Sequence, residues 1–361
     1  MADRIDLLEV TPQEAEAALT AHFAGRGEPA YRARQVLSWL YDRRIADFAA
    51  MTDLPARERA ALDEAFTVAA PVAAAISVSD DGTAKHLWRM ADGELVESVL
   101  IPTTNRVTLC ISSQAGCAMA CVFCATGWSG YRRNLTAGEI VAQYRGAASW
   151  AAEHGLGEIT NIVFMGMGEP FMNTDAVMRS LTLLNGAYGV GARRITVSTV
   201  GVIPGIRRLA ERPEQFGLAL SLHAPNPELR RRLVPIEKKY PLDQLMAALQ
   251  DFVAAGGRRI TFEYVLLDGV NDSLPLAAEL AALARSVRAH VNLIPYNPVP
   301  GAGFRPPAAN RTKAFAAAVR EHGVEVTVRT PRGRDIAAAC GQLRAEHATR
   351  PPKPYLALLT A

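Results

Sequence analysis

The chain has 361 residues, of which 49% are hydrophobic and 21% are charged, a composition typical of a globular protein with one large domain or two. Its formal net charge of +3 is too small to indicate nucleic-acid binding by itself. No apolar run approaches membrane-spanning length and the first residues lack a leader pattern, so we expect no secretion and no membrane insertion. Five cysteines are an odd number for a disulfide framework, and we expect a reducing, cytoplasmic location.

Residues 1–70 predict a small helical N-terminal domain. A capping box with proline at the first helical position, at residues 11–14, begins one helix. Two more helices are predicted over 31–41 and 54–66. From 71 to 106, short alternating segments separated by Asp-Gly turns predict an antiparallel β-meander that leads into the main domain.

From residue 107 onward, strand-like segments alternate with amphipathic ones, which predicts a parallel sheet with helices packed outside it. The predicted fold class is therefore α/β, with a partial (β/α)6 barrel over 107–345 and a tail at 346–361. The strand candidates are 107–111, 159–165, 195–199, 216–222, 260–266 and 291–294, with a further one at 324–328. Helices are predicted over 136–152 and 273–287.

Three cysteines within eight residues, Cys117, Cys121 and Cys124, form what we call the cysteine loop (residues 117–124). Thiolates select zinc, copper(I) or iron-sulfur clusters. Three ligands from one loop leave two alternatives: a distant Cys or His closes a structural zinc site, or one iron of a 4Fe-4S cluster stays open for a small molecule. The C-x3-C-x2-C spacing fits the second better, because zinc modules usually bring their ligands as two separated pairs.

Glycines and polar residues recur where successive predicted strands end, which is where parallel sheets bind ligands. Gly168 and Glu169 lie in a turn after the second strand. Glycine lets a ligand approach the backbone, and a carboxylate can accept from an ammonium or hydroxyl group. The other candidates for cofactor binding at this edge are Ser198, Ser221, Leu222, His223 and Asn297.

Two cysteines lie outside the cysteine loop. Cys340 follows the last strand, and the glycine after it together with Arg332 and Arg334 before it favours a mobile loop with an activated thiolate. Cys110 ends the first strand of the barrel, and the residues alone leave open whether it is a fourth cluster ligand or a partner of Cys340. Paired arginines recur along the chain and, as a set, are compatible with an RNA partner.

The cysteine spacing, with Phe123 before the last cysteine, resembles the signature of the radical S-adenosylmethionine (SAM) enzymes, and the Gly-Glu turn resembles their element that grips the amino group of SAM. Five longer stretches resemble, in order, the RlmN/Cfr family of RNA methyltransferases over about 97–343. These stretches are 108–117, 164–170, 221–226, 292–298 and 338–343. Val200 departs from the family pattern, which leads us to expect a small polar residue there.

The resemblance implies one 4Fe-4S cluster, held by the three cysteines of the loop, whose open iron binds SAM. It further implies two SAM per turnover: one methylates Cys340, and the second is cleaved reductively to a radical that activates the methyl carbon for addition to an adenine ring. By position, Glu97 would remove the ring proton, and Cys110 would form a disulfide with Cys340 to release the product. A helical N-terminal domain carrying Arg32, Arg34, Arg43 and Arg44 would help to hold the RNA.

Within the family, residues 329–335 resemble the RlmN branch more than the Cfr branch. We therefore expect methylation of adenine C2 in 23S rRNA and in tRNAs by a monomer that takes electrons from a donor such as flavodoxin or ferredoxin. The alternative within the family is methylation of C8 of the 23S rRNA adenine. An alternative from another class is a non-catalytic, zinc-stabilised RNA-binding protein, which would leave the Gly-Glu turn and Cys340 without a role.

Overall fold

The computed structural model describes residues 4–343, so the predicted tail at 346–361 and the last two residues of the predicted barrel lie outside the described range. The first part of the chain is helical, as predicted. Its elements are β1 (Ile5–Asp6), α1 (Pro12–Gly25), α2 (Tyr31–Tyr41), α3 (Ala56–Ala65) and β2 (Phe66–Thr67). The predicted capping box is confirmed, since Glu14 N–H donates to Thr11 Oγ1 at 3.3 Å and Thr11 N–H donates to Glu14 Oε2 at 2.7 Å.

One sheet of ten strands dominates the rest of the described chain. The strands that follow β2 are β3 (Val72–Val78), β4 (Ala84–Arg89), β5 (Leu95–Thr103), β6 (Arg106–Cys110), β7 (Gln114–Gly116), β8 (Tyr131–Asn134), β9 (Asn161–Phe164), β10 (Ile195–Thr199), β11 (Gly217–Ser221), β12 (Thr261–Leu266), β13 (His290–Pro295) and β14 (Val326–Val328). Strands β7 and β8 form a separate antiparallel pair. The other ten are ordered β14-β13-β12-β11-β10-β9-β6-β5-β4-β3.

Seven neighbouring strands, β6 and β9 to β14, run parallel to one another, which is the open barrel that the alternating pattern predicts. The residues of β11 and β12 are almost all buried, as expected of strands covered on both faces. The meander β3 to β5 is antiparallel, and β5 pairs directly with β6. The predicted boundary at residue 106 therefore lies within one continuous sheet.

The helices that follow α3 connect the parallel strands or flank them. They are α4 (Ala125–Trp128), α5 (Ala137–Glu153), α6 (Thr174–Thr182), α7 (Ile203–Ala210), α8 (Pro227–Leu233), α9 (Leu242–Ala254), α10 (Leu274–Ser286) and α11 (Ala309–Glu321). The helix α5 begins with a second capping box, formed by Thr136 and Glu139. The connections bring the ends of the parallel strands, and the loops after them, to one edge of the sheet. None of the helices in residues 4–343 combines the length and the apolar character needed to cross a membrane.

Candidate active site

A cavity of about 970 Å³, including the part that opens to solvent, lies at this edge of the sheet. Apolar surface predominates in its wall, with a few polar groups, as is typical of cofactor sites. The predicted residues that line it are Cys117, Cys121, Cys124, Gly168, Glu169, Ser198, Ser221, His223, Asn297 and Cys340. The sequence therefore predicts most of the polar wall of one cavity from residues spread over more than 200 positions.

The cysteine loop leaves β7 by a turn that requires glycine. Gly116 has φ +78°, and a Cβ there would lie 1.9 Å from the carbonyl oxygen of Gly130. Cys117 N–H donates to the same carbonyl at 3.0 Å, and farther along the loop Val122 N–H donates to Leu233 O, at the end of α8, at 3.2 Å. The loop is thus fixed by backbone contacts on both sides.

The chemistry of the donors fits an iron-sulfur cluster. Burial, and then the neighbouring thiols, raise the pKa of Cys117 to about 12 and that of Cys121 well above the usual range. Three thiols that share one cavity would be ionised there only opposite strong positive charge, which iron supplies. Within residues 4–343, no group of three His, Cys, Asp or Glu side chains is arranged to hold a single metal ion.

The Gly-Glu turn after β9 presents a buried carboxylate. Glu169 Oε2 accepts from Val200 N–H at 2.9 Å, and Oε1 accepts from Phe171 N–H at 3.1 Å. Burial raises the pKa of Glu169 to about 7, although these bonds act in the other direction. Val200 departs from the family pattern, which leads us to expect a small polar residue. The contact with Glu169 uses the backbone N–H of Val200, so it does not depend on the side chain.

The glycines of this turn are needed for packing against the protein itself. A Cβ on Gly168, whose φ is +101°, would lie 2.6 Å from the Cβ of Gln114, and one on Gly166 would lie 2.5 Å from Ser112 Oγ. We predicted that the glycine admits a ligand to the backbone. The structure shows that the Cβ direction of both glycines is filled by the segment after β6.

Three candidates lie at the ends of β10 and β11 or just after them. Ser198 Oγ and Ser221 Oγ are 3.3 Å apart. His223 has φ +57°, in the left-handed region, and its Nδ1 accepts from Val265 N–H at 3.1 Å, which places the ring proton on Nε2. Burial lowers the pKa of His223 to about 3, so the ring is neutral. Leu222 does not line the cavity: its side chain is fully buried in the main core, and its N–H donates to Glu263 O.

Cys340 faces the cysteine loop across the cavity, on what we call the Cys340 segment (residues 333–343). Asn297 Nδ2 donates to Cys340 O at 3.2 Å, and its Oδ1 accepts from Arg334 Nε at 3.0 Å. At the other end, Thr126 Oγ1 in α4 donates to Leu343 O at 2.7 Å. Asn297, a predicted SAM contact, thus also supports the Cys340 segment.

The meander holds the same segment from its other side. Asp81, in the turn between β3 and β4, accepts from Gly333 N–H at 3.0 Å, and Asp335 accepts from Ser79 Oγ at 2.6 Å. Burial alone would raise the pKa of Asp81, but hydrogen bonds from Thr83 and Gly333 lower it to about 2. No sequence pattern predicts these contacts, because the hairpin alone explains an Asp-Gly turn.

The predicted activated thiolate is wrong for Cys340. Its segment forms hydrogen bonds with the meander, with Asn297 after β13 and with α4. Burial raises the pKa of Cys340 to about 11, and Arg329 opposes this only in part. In this structure the thiol is neutral at physiological pH.

Cys110 and Glu97 lie outside this cavity, close to it. Burial, and then the proximity of Cys340, raise the pKa of Cys110 to about 12, so the two thiols lie within electrostatic reach and are not bonded to each other. Glu97 lines a neighbouring cavity with residues 335–337, and its Oε1 is 3.0 Å from Lys85 Nζ. Both side chains thus lie beside the Cys340 segment.

Arg230 is a buried residue that the sequence did not predict as part of the site. Arg230 in α8 is fully buried, forms an ion pair with Glu237, and donates through Nη2 to Val200 O, on the residue whose N–H holds Glu169. Burial and the neighbouring thiols raise the pKa of Cys121, and the charge of Arg230 opposes this in part. Arg230 belongs to a triplet of arginines, and such a triplet predicts an exposed surface. Only the structure distinguishes the buried Arg230 from its two neighbours.

Comparison with known proteins shows the family. Residues 111–281 match the model of the radical SAM superfamily, and residues 5–68 match the ribosomal RNA large subunit methyltransferase N-terminal domain. A probable dual-specificity RNA methyltransferase RlmN from Gemmatimonas aurantiaca is 52% identical over 96% of this chain and 94% of its own length. The chain belongs to the RlmN family of radical SAM enzymes. The resemblance inferred from the sequence is confirmed.

Two further relatives support the assignment to the RlmN family. The dual-specificity RNA methyltransferase RlmN of Halorhodospira halophila is 48% identical over 91% of each chain. The crystal structure of a radical SAM methyltransferase from Sphaerobacter thermophilus superposes with a TM-score of 0.89 at 49% identity, covering 94% of this chain and 99% of that one. The enzyme therefore has the α/β fold that was predicted, and its family implies a 4Fe-4S cluster and SAM.

Proposed function

We propose that this enzyme methylates C2 of an adenine in 23S rRNA and in tRNAs, using two SAM per turnover and a methyl group carried by Cys340. The observation that carries the proposal is that Cys340 lines the same cavity as Cys117, Cys121 and Cys124. A methyl carrier must lie where the radical is generated, because such a radical reacts with its nearest neighbours. The relatives' name, dual-specificity RNA methyltransferase, supports two classes of RNA as substrates.

The cluster and SAM would supply the radical chemistry, and the protein's residues would position it. Cys117, Cys121 and Cys124 would hold the cluster. Glu169, fixed by two backbone N–H groups, would accept from the amino group of SAM. The other predicted contacts with SAM are Gly168, Ser198, Ser221, Leu222, His223 and Asn297. Of these, only Leu222 does not line the cavity, so it would contact SAM through its backbone.

Three residues would act on the nucleobase. Cys340 Sγ would carry the methyl group, and Cys110 would form a disulfide with it to release the product, which the electrostatic proximity of the two thiols supports. Glu97 would remove the ring proton, with Lys85 beside it to stabilise the carboxylate. We expect the enzyme to act in the cytoplasm as a monomer, with flavodoxin or ferredoxin as electron donor.

Mass spectrometry of nucleosides tests the proposal. The enzyme is incubated anaerobically with SAM, a reductant and either 23S rRNA or tRNA, beside a Cys340→Ala control. We expect 2-methyladenosine with the native enzyme and none with the variant. A product that is mainly 8-methyladenosine would instead indicate the Cfr reaction, and no methyladenosine despite SAM cleavage would refute the proposal.

A further inference from the structure

A second cavity lies on the inner face of the barrel and opens to solvent. It encloses about 1380 Å³, including the part that opens to solvent. It shares two lining residues, Met165 and Glu263, with the cavity that holds the cysteine loop. The two cavities are therefore neighbours, and Glu263 lies where they meet.

The open cavity is lined by cations. Arg106, Arg329 and Arg332 contribute to its wall, and Glu263 is the single acidic residue among the described residues that line it. Arg106 is exposed and Arg329 is half-buried in the wall of this open cavity, so both guanidinium groups are available to a ligand. Such a surface favours an anion, and RNA phosphates are the anions that a proposed RNA methyltransferase must bind.

Glu263 itself is buried and held by a chain of hydrogen bonds across three strands. His290 Nε2 is 2.9 Å from Thr327 Oγ1, Thr327 Oγ1 donates to Asn292 Oδ1 at 3.0 Å, and Asn292 Nδ2 donates to Glu263 Oε2 at 2.7 Å. The other oxygen, Oε1, has no hydrogen-bond partner within residues 4–343. Burial raises the pKa of Glu263, and Arg329 and Asn292 oppose this.

Glu263 lines both cavities, and its Oε1 is an acceptor without a partner in residues 4–343, so this oxygen is available to a donor from a ligand. The reacting thiols are close by: Glu263 and Arg329 both act electrostatically on Cys340, and Arg329 also acts on Cys110. A base that approaches Cys340 from the open cavity would pass Glu263. Nothing in the roles given above to Glu97, Cys110 and Glu169 uses this carboxylate.

We propose that the open cavity admits the target nucleotide and that Glu263 Oε1 accepts a hydrogen bond from the exocyclic amine of its base. Adenine offers this amine, whereas guanine would place its carbonyl oxygen against the carboxylate. Asn292 and Thr327 are positioning residues, because they fix the carboxylate without contacting the base. The inference rests on the proposed function and names its specificity-determining residue.

The test measures binding of RNA to the holoenzyme without reductant, so that no radical chemistry intervenes. Two stem-loop RNAs are compared, one with adenine and one with purine, which lacks the amine, at the target position. The native enzyme should bind the adenine RNA more tightly by on the order of ten- to hundred-fold, the effect of one hydrogen bond to a charged group. In Glu263→Gln this preference should fall to within about threefold.

Two control variants separate base recognition from general effects. Asp175→Asn removes an exposed carboxylate that pairs with Arg208 and lines neither cavity, and it should keep the preference. Arg329→Ala should weaken the binding of both RNAs to a similar extent, as expected when a phosphate contact is lost. Intact-protein mass spectrometry of Glu263→Gln after incubation with SAM measures the methyl group on Cys340, which separates a loss of base recognition from a loss of the first half of the reaction.

The inference is overturned if Glu263→Gln retains the full preference, or if the native enzyme binds both RNAs equally. It is also overturned if the variant folds and binds SAM but fails to methylate Cys340, because Glu263 would then act in the first half of the reaction. A native enzyme that prefers the adenine RNA but makes no methyladenosine under reducing conditions would refute the proposed function and leave the inference standing.

Discussion

The cysteine loop and the Cys340 segment meet at one cavity, yet they are held in different ways. The cysteine loop takes its ligand spacing and its turn at Gly116 from its own sequence, and one backbone hydrogen bond, from Val122 to Leu233, ties it to α8. The Cys340 segment is held by residues more than 200 positions away, in the meander and in α4. The ligand loop of the site is thus encoded locally, whereas the placement of the proposed methyl carrier depends on the whole fold.

The largest expected effects come from removing one cysteine from each region. Cys121→Ala should lose iron and all methylation, because two thiolates do not hold a cluster. Cys340→Ala should keep its iron and its reductive cleavage of SAM but form no methyladenosine. Iron and sulfide analysis together with nucleoside mass spectrometry checks both. Methyladenosine formed by Cys340→Ala would show that the second region carries no methyl group.

The next largest effect concerns the support behind the cysteine loop. Arg230→Met leaves Glu237 fully buried without its ion-pair partner, which should lower the free energy of unfolding by about 3–5 kcal/mol. Replacing both residues, as in Arg230→Met with Glu237→Leu, should recover much of this loss. Denaturant unfolding of the metal-free protein measures both. A single-variant loss below about 1 kcal/mol would mean that the pair contributes little to this region.

The Cys340 segment should respond to a change in the meander, far away in sequence. Asp81→Ala removes the acceptor for Gly333 N–H, and the resulting displacement of Cys340 should slow methylation by about ten- to hundred-fold. Iron content should not change. Asp92→Ala is a matched control in the next Asp-Gly turn, whose carboxylate pairs with Arg133 instead. If Asp81→Ala and Asp92→Ala slowed methylation equally, the turn at Asp81 would have no particular role in placing Cys340.

The sequence predicted the two regions unequally for a physical reason. Glu169, Ser198 and His223 lie at or after the ends of parallel strands, which bring such positions to one edge of the sheet. Cys117 follows β7 in the antiparallel pair, and its spacing from the other two cysteines of the loop predicted it. Arg230 could not be recognised, because its burial depends on how α8 packs. The boundary at residue 106 was placed where the pattern changes from antiparallel to parallel, but backbone hydrogen bonding continues across that change.

The Asp81 carboxylate also predicts that the free energy of unfolding depends on pH. Its pKa in the folded protein is about 2, below the ordinary value of 3.8, so the carboxylate stabilises the fold above about pH 4 and this contribution is lost as the pH falls towards 2. The difference in unfolding free energy between native and Asp81→Ala proteins, both metal-free, should be constant from pH 7 to about 4 and then shrink. A difference that grows on acidification would contradict the lowered pKa.

The smallest expected effect lies at the contact between the two regions. Thr126, two residues after the last cysteine of the loop, donates to Leu343 O at 2.7 Å, and both residues are buried. Thr126→Val keeps the shape but leaves this carbonyl without its donor, which should lower the free energy of unfolding by about 0.5–1.5 kcal/mol. Thr126→Ser keeps the hydroxyl and should methylate RNA at close to the native rate.

If Thr126→Val retained its iron but methylated RNA more slowly, the hydrogen bond between Thr126 and Leu343 would help to place the Cys340 segment relative to the cysteine loop. Equal methylation rates for both variants and the native enzyme would mean that the contacts with the meander and with Asn297 are sufficient to place Cys340.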